Sequence, residues 1–351
     1  MKKKESIIYL DRNENQYGPA PACFKVLHKP NIKKLSWYSR DFSRGVKSKL
    51  SERLALDFGI DEKNVMLGYG GEDILKQAVH CYVNKGDKIM IPAYSWWYYK
   101  KIADEKEGIK IEYPIYEGDD SFYYDIDGMI KVYEEHKPKL IIISSPNNPT
   151  GNRLPIDKLH YILEKVKDTV VVLDEAYTLF YTDDNSYLGR LIKEFPNLLV
   201  IRTFSKYYAL AGVRIGFALM GENHAQFSLF SARYLGYNRL TERIAIAALD
   251  SDEYYHEVRA KMVEDTQMFI NEFSKLEGFK PYKTYANFIL VKIPENIKDG
   301  LKKYLTDRNM IVKFMAEDGL FSHIRITIGT REQNQLLMNM IKSYLKEIKK
   351  K

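Results

Sequence analysis

The amino-acid sequence predicts an α/β protein, with a large domain built on parallel strands and a smaller α+β domain. Through the first two-thirds of the 351 residues, short apolar runs alternate with longer helical patterns, as in βαβ units. Small or polar residues follow nearly every predicted strand, and ligands of open α/β sheets bind at that edge. The strands predicted for the large domain are 65–67, 88–91, 139–143, 169–173, 198–202 and 215–220.

After about residue 245 the pattern changes to that of a smaller α+β domain. No low-complexity linker precedes it, so we expect the two domains to pack together and a cleft between them to hold the site. The elements predicted there are a charged helix at 257–276, a strand at 288–291, a helix near 299–307, strands at 311–312 and 323–328, and an amphipathic helix at 332–348.

Composition and charge argue against several function classes. The formal net charge is +7, but lysines at 2–4 and 349–351 contribute six of it, and no nucleic-acid-binding signature occurs, so we expect no nucleic-acid partner. We find no apolar stretch long enough for a membrane span and no signal peptide, and therefore expect a cytoplasmic protein. Cys23 and Cys81 lie far apart, which indicates neither a disulfide framework nor a metal cluster, so we expect no metal.

Residues 203–206, Thr-Phe-Ser-Lys, place a lysine just after a predicted buried strand. A charged lysine is costly to desolvate there unless the amine becomes neutral or forms an imine. Thr203, Ser205 and Arg214 supply donors for a phosphate, which an imine between Lys206 and pyridoxal 5′-phosphate requires. The alternative is an exposed loop lysine that follows a helix-capping serine.

Two other segments also follow predicted strands. In residues 171–177, Val-Val-Leu-Asp-Glu-Ala-Tyr, an apolar run brings Asp174 to the sheet edge. An anion there would keep a pyridine nitrogen protonated, so that the ring remains an electron sink, and Tyr177 is placed to donate to a phenolic oxygen. A helix N-cap is the alternative role for Asp174. Residues 144–151, Ser-Ser-Pro-Asn-Asn-Pro-Thr-Gly, predict a rigid turn.

In this order and at strand ends, the three segments resemble the fold type I pyridoxal-phosphate enzymes of the class I/II aminotransferase superfamily. The resemblance runs from residue 10 to about 344 and implies a three-layer α/β/α large domain with a mostly parallel seven-stranded sheet. We therefore divide the chain into an amino-terminal segment that joins the small domain (1–34), the large domain (35–245) and the small domain (246–351). Four segments are similar to the histidinol-phosphate aminotransferase branch, which includes threonine-phosphate decarboxylases: 10–19, 202–206, 287–290 and 324–331.

The resemblance also implies which residues bind pyridoxal 5′-phosphate. Lys206 corresponds to the catalytic lysine, Asp174 to the partner of the ring nitrogen, and Asn148 and Tyr177 to the residues that hold the phenolic oxygen. Tyr94 occupies the position of an aromatic ring that stacks on the pyridine. The residues that the resemblance gives to the cofactor phosphate are Gly71, Glu72, Thr203, Ser205 and Arg214.

Further residues are implied at the subunit boundary and the substrate pocket. Tyr38 matches a tyrosine that reaches the neighbouring subunit's phosphate, which implies a homodimer with shared active sites. Arg325 matches the anchor for a substrate carboxylate or phosphate, and Tyr17 helps to close the pocket. Lys313 stands where the branch carries a second arginine, and a lysine does not reproduce the bidentate fork. Gln16 replaces a usual proline, so the departures from the branch concentrate on the substrate side.

These assignments predict a pyridoxal-phosphate-dependent aminotransferase in which Lys206 moves a proton at the substrate's α-carbon. The expected substrate is a small phosphorylated amine or ketone. Histidinol phosphate with 2-oxoglutarate and glutamate is the leading specific interpretation, and a three-carbon keto phosphate such as dihydroxyacetone phosphate is a related one. Two alternatives remain: an amino-acid-phosphate decarboxylase of the threonine-phosphate or serine-phosphate type, and a non-enzymatic ligand sensor, for which an attached DNA-binding domain would be expected.

Overall fold

The computed structural model describes residues 6–28, 36–38 and 48–349 of the chain. The predicted domain boundary between residues 34 and 35 therefore lies outside the described residues. The strands are β1 Ile8–Leu10, β2 Val65–Gly68, β3 Lys88–Pro92, β4 Ile109–Tyr113, β5 Ile115–Glu117, β6 Phe122–Tyr124, β7 Leu140–Ser144, β8 Val170–Asp174, β9 Leu198–Thr203, β10 Gly216–Met220, β11 Lys280–Pro281, β12 Phe288–Lys292, β13 Met310–Phe314 and β14 His323–Thr327.

Helices connect most of these strands. The α-helices are α1 Pro21–His28, α2 Lys49–Phe58, α3 Gly71–Tyr82, α4 Trp97–Glu105, α5 Ile126–His136, α6 Ile156–Lys165, α7 Ser186–Glu194, α8 Ala225–Phe230, α9 Arg239–Leu249, α10 Asp252–Phe273, α11 Lys298–Thr306 and α12 Arg331–Ile348. Across the described ranges, none of these helices combines the length and apolarity that crossing a membrane requires.

A seven-stranded sheet with the order β2-β10-β9-β8-β7-β3-β4 forms the centre of the larger part of the molecule. From β9 to β4 every neighbouring pair is parallel, whereas β10 runs antiparallel to both β2 and β9. The prediction of a mostly parallel seven-stranded sheet is confirmed. β4 was not among the predicted strands. Its residues, Ile-Lys-Ile-Glu-Tyr, alternate apolar with charged side chains at the exposed sheet edge and form no continuous apolar run.

The two faces of this sheet pack against separate layers of helices. Successive side chains of a strand point to opposite faces. In β7, Ile141 and Ile143 belong to one apolar cluster, and Leu140 and Ile142 belong to the other. All four are at most 1% exposed, which explains why the sequence of this strand is a continuous apolar run. The predicted three-layer α/β/α arrangement is therefore confirmed.

A second, five-stranded sheet has the order β1-β13-β14-β12-β11. Its first strand comes from the start of the chain, because Ile8, Tyr9 and Leu10 pair in parallel with Met310, Ile311 and Val312. Helices α10 and α11 pack against its strands. As a result, the residues that directly follow β1 leave the small sheet and face the large one. The division of the chain at residues 35 and 246 stays a prediction.

Candidate active site

A cavity of about 750 Å³ lies between the two sheets, at the carboxyl ends of β7, β8 and β9. Its walls come from the residues after β1, from these strand ends, and from β13 and β14. Most of the site residues that the sequence indicated line it: Gly71, Glu72, Asn148, Asp174, Tyr177, Thr203, Ser205, Lys206, Arg214, Lys313 and Arg325. The fold thus gathers these groups from segments that are far apart in the chain.

Asp174 ends β8 and faces the cavity with its carboxylate held by two donors. Tyr99 of α4 donates from its hydroxyl to Oδ2 at 2.8 Å, and the amide of Ala176 donates to Oδ1 at 3.0 Å. Burial raises the pKa of Asp174, and the hydrogen bond from Tyr99 counteracts part of that rise because it stabilises the charged form. The structure therefore presents a partly buried acid whose charged form is stabilised by Tyr99 and by the amide of Ala176.

Lys206 lies just beyond the end of β9, and its side chain points into the same cavity. Its amine donates to the backbone carbonyl of Arg12 at 3.0 Å and lies 5.8 Å from the centre of the Tyr177 ring. The positive charge of Lys206 acts on Asp174 and favours its ionised form. One cavity therefore holds both the amine of Lys206 and the carboxylate of Asp174, supplied by adjacent parallel strands.

The amino terminus of α3 provides free amides beside a group of side-chain donors. The residue before this helix is Gly70, and none of the described side chains caps the first turn. Gly70 has φ 93°, a conformation that residues with a side chain rarely adopt, and Nη2 of Arg214 lies 2.8 Å from where a Cβ would stand. Thr203 and Ser205 lie nearby, with their hydroxyl oxygens 2.9 Å apart. Amides at a helix start, hydroxyls and a guanidinium form a suitable binding set for a phosphate.

Tyr177 and Asn148 each contact a residue from the small-sheet wall of the cavity. The Tyr177 hydroxyl oxygen accepts a hydrogen bond from Nδ2 of Asn13 at 3.0 Å, and its ring packs edge-on against Phe288 at 5.2 Å. Oδ1 of Asn148 accepts a hydrogen bond from Nη1 of Arg325. The two residues that the resemblance places at a phenolic oxygen are thus each tied to a different part of the small-sheet wall.

Arg325 is a guanidinium at the cavity wall without a carboxylate hydrogen-bonded to it in the described part of the chain. Nη2 donates to the backbone carbonyl of Asp11 at 2.6 Å. Its Nε is buried and has no hydrogen-bond partner among residues 6–28, 36–38 and 48–349. Burial lowers the pKa of Arg325, which reflects the cost of desolvating the charge. Lys313 is its direct partner on the neighbouring antiparallel strand, so two cationic side chains stand side by side.

Three predicted site residues are not among the residues that line the cavity. The ring of Tyr94 packs edge-on against Phe122 at 5.9 Å, while Ser95, Trp96 and Trp97 line the cavity instead. Tyr17 has Lys261 5.8 Å from its ring centre, and burial raises its pKa. Tyr38 is 71% exposed, with its carbonyl accepting a hydrogen bond from Nη2 of Arg239 at 2.8 Å. The roles given to these tyrosines stay predictions.

The site also contains residues that were not predicted from the sequence. Tyr99 lies inside an aromatic run, 96–99, whose side chains carry no positional signal for a contact with Asp174. Residues 11–14 belong to the segment 10–19 that carries part of the resemblance, but Tyr17 was the residue of that segment predicted to lie at the site. Their lining of the cavity follows from the pairing of β1 with β13, which the sequence did not predict. Met315 and Glu317, just after β13, complete this wall.

A buried ion pair lies next to Asp174. Oε2 of Glu175 accepts hydrogen bonds from Nε and Nη2 of Arg202 at 2.9 Å and 2.7 Å, and Oε1 accepts one from the hydroxyl of Tyr187 at 2.5 Å. Burial alone lowers the pKa of Arg202, but the adjacent carboxylate more than reverses this effect, so the pKa is raised. Since Glu175 follows β8 and Arg202 lies in β9, the pair fixes the two strand ends that carry Asp174 and Lys206.

The chemistry of this donor set fits pyridoxal phosphate. Lys206 offers an amine for its aldehyde, and Asp174 offers a carboxylate for its ring nitrogen. The uncapped start of α3, with Thr203, Ser205 and Arg214, offers a site for its phosphate. All three groups line one cavity.

Comparisons with known proteins agree on the family. A profile of the family described as "Aminotransferase class I and II" matches residues 5–341. A histidinol-phosphate aminotransferase of Ruminiclostridium cellulolyticum is 32% identical over 335 residues, which cover 95% of this chain and 91% of that protein. The crystal structure of the histidinol-phosphate aminotransferase from Sinorhizobium meliloti in complex with pyridoxal-5′-phosphate matches with a TM-score of 0.86 at 23% identity, covering 98% of this chain and 92% of that one.

The L-threonine-O-3-phosphate decarboxylase from Porphyromonas gingivalis has a similar fold. Its crystal structure matches with a TM-score of 0.81 at 21% identity, covering 97% of this chain and 100% of that one. At these identities the two structural matches show a shared fold, and they do not distinguish one substrate from the other.

Proposed function

Because the chain belongs to the class I and II aminotransferases, as a pyridoxal-phosphate-dependent member of the histidinol-phosphate aminotransferase branch, we propose that its amino donor is a small phosphorylated amine. Histidinol phosphate is the specific donor proposed, with 2-oxoglutarate as acceptor and glutamate as the product of the return reaction. A three-carbon keto phosphate such as dihydroxyacetone phosphate, which would accept an amino group instead of donating one, is the second candidate substrate, since it offers the same anion without an imidazole.

The pairing of Arg325 with Lys313 is the observation that carries this proposal. Arg325 has a buried Nε without a partner in the described residues, and Lys313 lies directly opposite on the adjacent strand. Within the described residues this guanidinium hydrogen-bonds only neutral oxygens, those of Asp11 and Asn148, so an anion that enters the cavity would stabilise it. A phosphate brings two negative charges to this pair of cations, so it suits the pair better than a single carboxylate does.

Each of the chain's own site residues then has a separate role in the reaction. When bound, pyridoxal phosphate supplies a ring that withdraws the electrons released at the substrate's α-carbon. Lys206 moves the proton at that carbon as a base and acid. Asp174, charged with the help of Tyr99, holds the ring nitrogen in its protonated form. Arg325 and Lys313 fix the substrate anion and thereby set which end of the substrate meets Lys206.

We also propose that the active unit is a homodimer in which Tyr38 acts across the subunit boundary. Its side chain is 71% exposed in the single chain, and its neighbour Trp37 is 62% exposed, so both are free to contact a second copy. Mixing Tyr38→Ala subunits with Lys206→Ala subunits should restore activity that neither variant shows alone, because a hybrid dimer contains one site with both native residues. Failure to restore any activity in proven hybrid dimers would contradict shared sites.

A single-turnover test with a panel of amines addresses the substrate. Histidinol phosphate should convert the absorbance of the bound cofactor fully, whereas unphosphorylated histidinol should require a concentration about 100-fold higher, because a buried charge pair is left without its anion. Equal responses to both compounds would contradict the proposal. Release of carbon dioxide from phosphothreonine or phosphoserine, without transfer to 2-oxoglutarate, would instead identify the decarboxylase alternative.

A further inference from the structure

The segment after β1, residues 11–15, bonds to several groups of the candidate active site. The carbonyl of Asp11 accepts from Arg325 at 2.6 Å, and that of Arg12 accepts from Lys206 at 3.0 Å. The side chain of Asn15 donates to the carbonyl of Tyr207 at 2.9 Å. This segment therefore connects the small sheet with the lysine-bearing edge of the large sheet, and Asn13 lies at its centre.

Asn13 is held in a single orientation by the small-sheet wall. It is 1% exposed and adopts φ 57°, a left-handed conformation that asparagine tolerates better than most residues do. Its backbone amide donates to the Thr327 hydroxyl at 2.9 Å, and its carbonyl accepts from Asn287 at 3.1 Å. The Thr327 hydroxyl in turn donates to Oδ1 of Asn13 at 3.4 Å. With Oδ1 facing Thr327, the Nδ2 group must face Tyr177, and it donates to the Tyr177 oxygen at 3.0 Å.

This arrangement decides where the proton of Tyr177 points. A phenol has one proton to donate, whereas an amide nitrogen only donates. Since Asn13 supplies the proton of their hydrogen bond, the Tyr177 proton is left for a different acceptor, and Tyr177 faces the cavity. We propose that Asn13 is a positioning residue for the transamination: it turns the Tyr177 hydroxyl into a donor toward the phenolic oxygen of the cofactor. The inference rests on the proposed role of Tyr177.

A donor at the phenolic oxygen has a measurable effect on the bound cofactor. When the cofactor is bound to Lys206, the nitrogen that joins them can hold a proton. The phenolic oxygen would be more negative after this nitrogen has lost its proton, so a hydrogen bond from Tyr177 to that oxygen would favour the deprotonated form of the nitrogen. Removing this hydrogen bond must therefore raise the pH midpoint at which the cofactor absorbance changes. A purely structural role of Asn13 would lower stability without a directed change in this midpoint.

Two substitutions at position 13 separate the two roles, because aspartate and glycine both accept the left-handed backbone. An ionised aspartate accepts only, so Asn13→Asp should capture the Tyr177 proton and raise the midpoint by about one pH unit, the size of a charge-assisted hydrogen bond. Asn13→Gly leaves the Tyr177 hydroxyl free to rotate and should raise the midpoint by less than Asn13→Asp does, although glycine removes more packing. Asn309→Asp is the matched control, since Asn309 also has φ 57° but lies outside the cavity lining, and it should leave the midpoint unchanged.

The decisive comparison is the uncharged substitution, Asn13→Gly, in a chain that lacks the Tyr177 hydroxyl, because the charge of an aspartate would itself act on the cofactor. Tyr177→Phe should raise the midpoint by itself, and adding Asn13→Gly should then raise it no further. A shift caused by Asn13→Gly that persists without the hydroxyl would overturn the inference, as would a larger shift for Asn13→Gly than for Asn13→Asp. Should Asn13→Asp fail to fold, Asn13→Gly must still raise the midpoint alone and add nothing to Tyr177→Phe.

Different results would contradict the proposed role of Tyr177 and the inference about Asn13. If Tyr177→Phe leaves the midpoint unchanged, the role of Tyr177 at the cofactor is wrong, and the inference about Asn13 falls with it. If Tyr177→Phe raises the midpoint but both Asn13 variants match the unsubstituted protein, only the inference about Asn13 is wrong. Thermal unfolding of each variant, recorded in parallel, shows how much of any change comes from packing.

Discussion

The cavity has two sides that are built differently: one that we propose holds the cofactor, called the cofactor side, and one that we propose holds the substrate, called the substrate side. On the cofactor side, Asp174 and Lys206 follow adjacent parallel strands, and the ion pair of Glu175 with Arg202 joins those strands. On the substrate side, Arg325 receives its contacts from the start of the chain and from the turn that contains Asn148. Strand order alone therefore places the residues of the cofactor side, whereas the contacts of the substrate side depend on pairing between distant segments.

The two sides also treat a buried charge differently. Burial raises the pKa of Asp174 and lowers that of Arg325, so in each case the neutral form is favoured by desolvation. Asp174 has a permanent donor in Tyr99, which supports its charge within the protein. Arg325 hydrogen-bonds only neutral oxygens in the described residues. The substrate side is therefore the side that an incoming anion completes.

The largest expected effect comes from removing the guanidinium of Arg325, which we propose binds the substrate anion. Arg325→Ala should raise KM for a phosphorylated donor by about 30-fold to several thousandfold, because a lost buried charge pair costs roughly 2–5 kcal/mol. The dissociation constant of the cofactor should change little, since the assigned cofactor groups remain. Arg308→Ala, which removes an exposed arginine outside the cavity lining, serves as the control. A loss of cofactor affinity without a change in KM would reverse the assignment of the two sides.

An intermediate effect is expected from the donor that supports Asp174. Tyr99→Phe removes a hydrogen bond that lowers the pKa of Asp174, so this pKa, already raised by burial, should rise further. On acidification the carboxylate then loses its charge at a higher pH, and the loss of cofactor affinity should begin up to about one pH unit higher. Titrating the cofactor dissociation constant against pH measures this shift.

Tyr113→Phe provides the matched control for Tyr99→Phe. Tyr113 is equally buried, but its hydroxyl donates to the backbone carbonyl of Ile142 at 3.0 Å and it does not line the cavity. Both substitutions should lower stability by a similar amount, about 1 kcal/mol. If the two variants give the same pH dependence as the unsubstituted protein, Tyr99 does not control the charge of Asp174.

The smallest effect is expected from restoring a fork on the substrate side. Lys313→Arg should lower KM for a phosphorylated donor by about threefold to tenfold, because a guanidinium binds phosphate through two parallel hydrogen bonds where an ammonium acts as a point charge. Lys292→Arg, in β12 and paired with Glu117, is the control outside the cavity lining. A KM that rises in Lys313→Arg would mean that this pocket has adapted to a different anion.

The sequence predicted the cofactor side better than the substrate side for a physical reason. Asp174 ends β8, Lys206 lies three residues beyond the end of β9, and the large sheet buries the apolar runs of both strands, so local pattern was enough to place these residues at one sheet edge. Arg325 and Lys313 were singled out by resemblance, but their direct pairing is a property of strand register. Tyr99 carries no local signal, because its contact with Asp174 depends on how α4 packs beside β8.

The sequence indicates least about how aromatic residues are oriented. The ring of Tyr94 packs edge-on against Phe122, which belongs to a short hairpin strand that the sequence did not predict, and the stacking of Tyr94 on the cofactor stays a prediction. Aromatic side chains are large enough to be placed by any of several neighbours, so their orientation follows tertiary packing more than sequence position. The positions of Asn13 and Arg12 at the site likewise follow from the unpredicted pairing of β1 with β13.

Reduction with borohydride tests whether Lys206 is the residue that links covalently to the cofactor. Borohydride treatment of the purified, cofactor-loaded protein, followed by proteolysis and mass spectrometry, should place the added pyridoxyl phosphate group on the peptide that contains Lys206, and Lys206→Ala should lack this adduct and turnover alike. An adduct on another lysine, such as Lys313, or a cofactor-loaded protein that yields none, would contradict the account.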